Sequence, residues 1–108
     1  MMYNEFLTLS GMTEGYISYT EYTNEIEPIY TECELSKADF IDLLVKTFDT
    51  IVIPAVNKKI ENLPTQEKEA MAFDFDNPET LSIIEKVKQT DRVARKVAYE
   101  YIKLYSRL

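Results

Sequence analysis

Chemistry in this chain would have to come from carboxylates, because little else is supplied. Its 108 residues include no His, a single Cys (Cys33) and two Gly, Gly11 and Gly15. A serine or cysteine nucleophile therefore has no imidazole base, and Ser36 and Lys37 are adjacent rather than spaced as a dyad. Zinc has one thiol and no imidazole to bind. A phosphate-cradling loop needs glycines in a fixed pattern, which Gly11 and Gly15 do not form. Asp74-Phe75-Asp76-Asn77 begins like a calcium loop, but Pro78 follows and Glu79 stands where the loop must turn through glycine. Asn77-Pro78 reads instead as a helix cap and first turn. Carboxylate pairs of the glycosidase kind need a deep cleft, which a helical chain of this size rarely forms. The expectation is no catalytic residue, no metal, no cofactor and no enzyme.

Charge is the more informative property. Seven glutamates (Glu5, Glu14, Glu21, Glu25, Glu27, Glu32, Glu34) precede the first basic residue, Lys37. From Lys86 to Arg107 the balance reverses, with seven Lys or Arg against Asp91 and Glu100. Either the two ends neutralise each other in the fold or each presents a field to a partner. Glu21, Glu25 and Glu32 share one side of a helix flanked by Tyr19, a candidate anionic recognition face. Lys88, Arg92, Arg95 and Lys96 form the candidate basic face, an alternative binding surface. Three readings of these faces stay open: solvated surface, mutual neutralisation within one chain or across a dimer, and partner recognition. The overall net charge of −7 argues against sequence-independent nucleic-acid binding, whose affinity comes from cations set against phosphates.

The elements that must position these residues are helices. Ile17-Ser18-Tyr19-Thr20-Glu21-Tyr22 and Leu35-Ser36-Lys37-Ala38-Asp39-Phe40 share one form: an apolar residue, a Ser N-cap, an acid three later and an aromatic staple. A first helix over 4–10 ends at Gly11. The second runs from Tyr19 towards Tyr30, with Pro28 kinking or ending it. Phe40, Leu44, Phe48, Ile51, Val52, Ala55, Val56 and Ile60 predict the core helix, interrupted at Pro54, against a competing strand over 48–53. A short helix follows Pro64, and the last starts at Pro78. Its seam of Ile83, Val87, Thr90, Ala94, Val97, Tyr101, Leu104 and Leu108 keeps a heptad period, with a split at Thr90-Asp91 as the alternative. The seam suits either packing into the bundle or self-association. The fold class is therefore all-α: a single domain, a bundle of about five helices with a Pro-interrupted central helix and a long C-terminal one. Its parts are an acidic helical pair (1–34), the core helix (36–62) and the basic amphipathic helix (78–108).

The lone cysteine fits a reducing compartment. No leader is read at the N-terminus, and the longest apolar run, Ile51 to Val56, falls short of the ~20 residues a membrane span needs. A cytoplasmic location is expected, with no membrane partner. The run Tyr3-Asn4-Glu5-Phe6-Leu7-Thr8-Leu9-Ser10-Gly11, with Glu21-Tyr22, Ile26-Glu27-Pro28-Ile29-Tyr30 and Leu35 to Phe40, resembles small proteins of phages and mobile elements of gut bacteria. That resemblance implies a source class, and the cytoplasm of a host cell, and carries over no site residue. The expected function is a non-enzymatic protein that binds and modulates a host protein through its acidic surface. The alternative is a structural or assembly protein that self-associates through its last helix.

Overall fold

The computed structural model describes residues 1–107, and the last heptad position, Leu108, lies outside them. Five helices and no strand are present among the described residues. They are α1 (Tyr3–Ser10), α2 (19–32), α3 (37–61), α4 (Thr65–Phe73) and α5 (Pro78–Tyr105). The all-α class is thus found, and α5 is one unbroken rod of 28 residues with no split at Thr90-Asp91. The molecule measures 47 × 24 × 19 Å, its long axis set by α5.

Capping chemistry explains where the helices start and stop. Ser18 Oγ accepts from the Glu21 amide at 3.0 Å and Ser36 Oγ from the Asp39 amide at 3.2 Å. Asn77 Oδ1 accepts from the Glu79 amide at 2.9 Å, with Pro78 in the first turn of α5. Gly11 closes α1 at φ +73°, a left-handed conformation that costs a glycine nothing, and its amide reaches the Leu7 carbonyl.

Neither proline stops its helix. Each follows a widened π-turn, over Tyr22–Ile26 ahead of Pro28 and over Phe48–Val52 ahead of Pro54. The Tyr22 carbonyl accepts from the Glu27 amide and the Phe48 carbonyl from the Ile53 amide, five residues on in both cases. A regular α-turn would press the proline ring against the carbonyl four residues back, and the wider turn relieves that clash. The turn also fixes which side chains enter the core. Tyr22 with Ile26, and Phe48 with Val52, are all buried.

The core joins α1, α2, the first half of α3 and the second half of α5. Phe6, Ile17, Tyr22, Ile26, Phe40, Leu44, Phe48, Val52, Ala98 and Ile102 are its most enclosed members. Aromatic rings stitch it together: Phe6 with Tyr22 at 5.2 Å, Tyr30 with Phe40 at 5.1 Å and Phe48 with Tyr99 at 5.7 Å between centroids. The far half of α3 is different. Ile51, Ala55, Val56 and Ile60 are only half-buried, so the core helix is fully enclosed only as far as Val52.

Candidate functional site

One cluster of charged side chains is drawn largely out of water. Arg95 on α5 donates from Nη1 to Glu21 Oε1 at 2.8 Å, to Glu21 Oε2 at 3.0 Å and to the Tyr16 carbonyl at 2.8 Å. Its Nε reaches the Asp91 carboxylate, one turn earlier on α5, at 3.1 Å. The Tyr99 hydroxyl donates to Glu21 Oε2. The guanidinium lies 4.4 Å over the Tyr16 ring, and its side chain is only 12% exposed. Burial alone would lower the Arg95 pKa, but the bonds and charge of Glu21, then of Asp91, move it upward. Burial, then the Glu21 bond and charge, hold the Tyr99 hydroxyl well above its ordinary value. A carboxylate already bound by a guanidinium and a phenol has no role as a general base or a docking anion. The arrangement clamps α2 to α5.

This cluster places the two sequence-predicted faces together. Glu21 of the acidic face and Arg95 of the basic face pair with each other, and Glu32 is bound by Arg107 at 2.5 Å. Mutual neutralisation within one chain is therefore present at two points, with Glu5–Lys37 at 2.8 Å as a third tie between α1 and α3. Glu25 is exposed and has no ion-pair partner among the described residues. Tyr19 is 65% exposed and meets the Tyr3 ring edge-on at 5.5 Å. Arg92 pairs with Glu85 at 2.5 Å on its own helix, while Lys88 and Lys96 are exposed without ion-pair partners among the described residues. Lys88 lines a depression with Asp91 and Arg95. Lys96 faces α2 across a different one, with Glu25.

The larger anomaly on the surface is apolar. Val93, Val97, Tyr101 and Leu104 follow one line of α5 and are 52%, 53%, 42% and 60% exposed. Their upper part borders an open groove whose other wall is Ile51 and Ala55 of α3, with Thr90 and Ala94 on its floor. The α4 helix packs on the earlier part of α5, so the groove begins where α4 leaves off.

Compared with family models, curated proteins and solved structures, the chain matches none. Function is therefore argued from this surface and this cluster alone. No helix among the described residues is long and apolar enough to cross a membrane. Among the same residues, no group of three or more Cys, Asp or Glu side chains is gathered to hold a metal ion.

Sequence reasoning missed Tyr16, Asp91 and Tyr99 as members of the clamp. One signal was present: Asp91, Arg95 and Tyr99 recur every four residues, a stripe beside the chosen seam. The heptad seam itself holds at Ile83, Val87 and Ala94 and then leaves the core. Ala98, Tyr99, Ile102 and Ser106 are buried in place of Val97, Tyr101 and Leu104.

Proposed function

We propose that this chain is a small non-enzymatic interaction protein that holds a protein partner on the apolar line of α5 and its groove against α3. The observation that carries this reading is the exposure of Val93, Val97, Tyr101 and Leu104 in one continuous line on a rigid helix. Scattered exposed apolar residues are ordinary, whereas an aligned set beside a groove marks a contact surface. The geometry moves the weight of the functional reading away from the acidic face of α2. Two of its three carboxylates, on Glu21 and Glu32, are occupied within the chain. What remains there, Glu25 with Tyr19, is a narrow patch. A host protein as the partner, and a phage or mobile element as the source, rest on the N-terminal resemblance alone.

The test compares three proteins: the wild type, Val97→Glu with Leu104→Glu, and Glu25→Lys. The α5 pair is expected to lose both captured partner and any self-association while melting within a few degrees of wild type, and Glu25→Lys to keep both. Retention by the α5 pair with loss in Glu25→Lys would return the site to the acidic face. A wild type that is monomeric at every concentration and captures nothing would overturn the reading.

A further inference from the structure

The groove on α5 has a counterpart on the same molecule. The linker after α4 reads Phe73-Asp74-Phe75-Asp76, and its two phenylalanines are 85% and 59% exposed. Asp74 bonds only to the neighbouring Asn77 amide group, at 3.2 Å, and neither Asp74 nor Asp76 has an ion-pair partner among the described residues. From Glu67 to Glu79 the chain carries five carboxylates against Lys68 alone. This end of the molecule is therefore an acidic, aromatic knob.

The groove has the opposite character. Its apolar walls are Ile51, Ala55, Val93 and Val97. Lys58 lies two turns beyond Ile51 on the same line of α3, and Lys86 lies two turns before Val93 on the same line of α5. Both lysines are exposed without ion-pair partners among the described residues. Two phenylalanines in an acidic setting thus match an apolar groove with lysines at its mouth in shape class and in charge.

A chain cannot make this contact with itself. Its knob sits at the start of α5, whereas Val93 lies about 24 Å further along the rod at ~1.5 Å per residue. On the basis of the Proposed function, we infer that the partner on the α5 groove is a second copy of this chain, which inserts its Phe73–Asp76 knob. Knob and groove are different surfaces, so the contact is heterologous. Each bound copy leaves one knob and one groove unused, and copies add in an open, concentration-dependent series rather than closing as a two-fold dimer. The interface is charge-assisted, so added salt weakens it.

The test uses two variants that each keep half of the contact. Phe73→Ser with Phe75→Ser removes the knob, and Val93→Glu with Val97→Glu removes the groove. All four positions are well exposed, so both variants are expected to melt like wild type; Val97→Asn alone serves as a milder groove variant should the pair fail to fold. Sedimentation velocity should show wild-type mass rising without a plateau as concentration increases. Each variant alone should stay monomeric, and an equimolar mixture should form a discrete heterodimer of twice the monomer mass. A knob variant that still self-associates, with a mixture that forms nothing new, would mean that α5 pairs with its own image and would overturn the knob. A wild type that stays monomeric, while the groove variant still loses a captured foreign protein, would overturn the second copy as occupant and leave the α5 surface standing. Groove substitutions without effect on either readout would remove the underlying functional reading as well.

Discussion

Arg95 is the side chain on which most of the polar architecture depends. It satisfies Glu21, Asp91 and the Tyr16 carbonyl at once while stacked on an aromatic face. Replacing one partner of a buried pair typically costs about 3–5 kcal/mol, because the other charge is left behind. Arg95→Leu should fall near the low end, about 3 kcal/mol, since Glu21 keeps Tyr99 and is 23% exposed. Glu25→Gln, an exposed carboxylate in the same stripe, should change stability by less than about 0.5 kcal/mol in the same denaturant titration. Equal losses at the two positions would show that the clamp is not where the charge matters. Alkaline pH probes the tyrosines. Burial, reinforced by Glu27 and Glu5, pushes the Tyr22 hydroxyl up to about 12, and Tyr99 is raised as well. A folded-state pKa above the unfolded value of about 10 means that the unfolded chain loses these protons first. Their stabilisation is complete below about pH 10 and declines as pH rises towards 12, so the protein should become base-labile in that window. Tyr22→Phe should reduce the slope of stability against pH there, and ultraviolet titration should show one late-ionising phenol fewer. These pairings were not legible in the sequence, where Glu21 and Arg95 are 74 residues apart. Only the fold gives such a separation a meaning.

Among the elements, the caps and the prolines were read to different depths. The two Ser caps were visible from residue types alone, and both are made. The reciprocal half of each capping box is absent among the described residues, because Glu21 turns to Arg95 and Tyr99 instead of its own N-cap amide. Ser18→Ala and Ser36→Ala should therefore cost the same, about 1 kcal/mol each within the usual ~0.5–2 kcal/mol for a lost N-cap. Amide exchange at the starts of α2 and α3 would report it. The prolines promised a break and produced π-turns, since a helix held by packing on both sides widens more easily than it ends. The last helix shows why periodicity misled. A straight helix drifts about 20° per heptad from a strict seven-residue repeat. Over the three heptads from Ile83 to Leu104 that amounts to about 60°, enough to carry Val97 and Leu104 out of the core and bring Ala98 and Ile102 in. Ile102→Ala should cost about 2–5 kcal/mol as a core truncation. Val97→Ala, on the exposed line, should cost less than about 0.5 kcal/mol. Reversal of that order in urea titrations would put the heptad seam back in the core.

At the scale of the whole molecule, the charge segregation has a structural answer as well as a functional use. Acidic α1 and α2 are tied to the basic elements by Glu5–Lys37, Glu21–Arg95 and Glu32–Arg107, so the N-terminal third is fastened to α3 and α5 by pairs of opposite sign. The three ties are not equal. Side chains in the outer two are 42–67% exposed, and exposed pairs contribute about 0–1 kcal/mol and are screened by salt. Lys37 holds the Glu5 carboxyl below its usual range through its hydrogen bond, against the opposing effect of burial. A lowered folded-state pKa gives stability that is present above the unfolded value and lost as pH falls through the folded one. That tie therefore weakens only on acidification. The inner pair is shielded and keeps its strength at high ionic strength. Reversing Glu32 to Lys should leave the melting temperature within about 2 °C, whereas Glu21→Lys should lower it by more than about 8 °C. The larger figure follows from about 4–8 °C per kcal/mol for a domain near this size. Pairing Glu21→Lys with Arg95→Glu should recover part of that loss, since opposite charges face each other again, though in poorer geometry than a planar guanidinium provides. The recovery should persist in ~1 M salt, where the Debye length of ~3 Å would abolish a surface effect. If the single and double reversals melt alike at both ionic strengths, the N-terminal third is held by its aromatic contacts with Phe48, Phe40 and Phe6, and its charge is left for a partner.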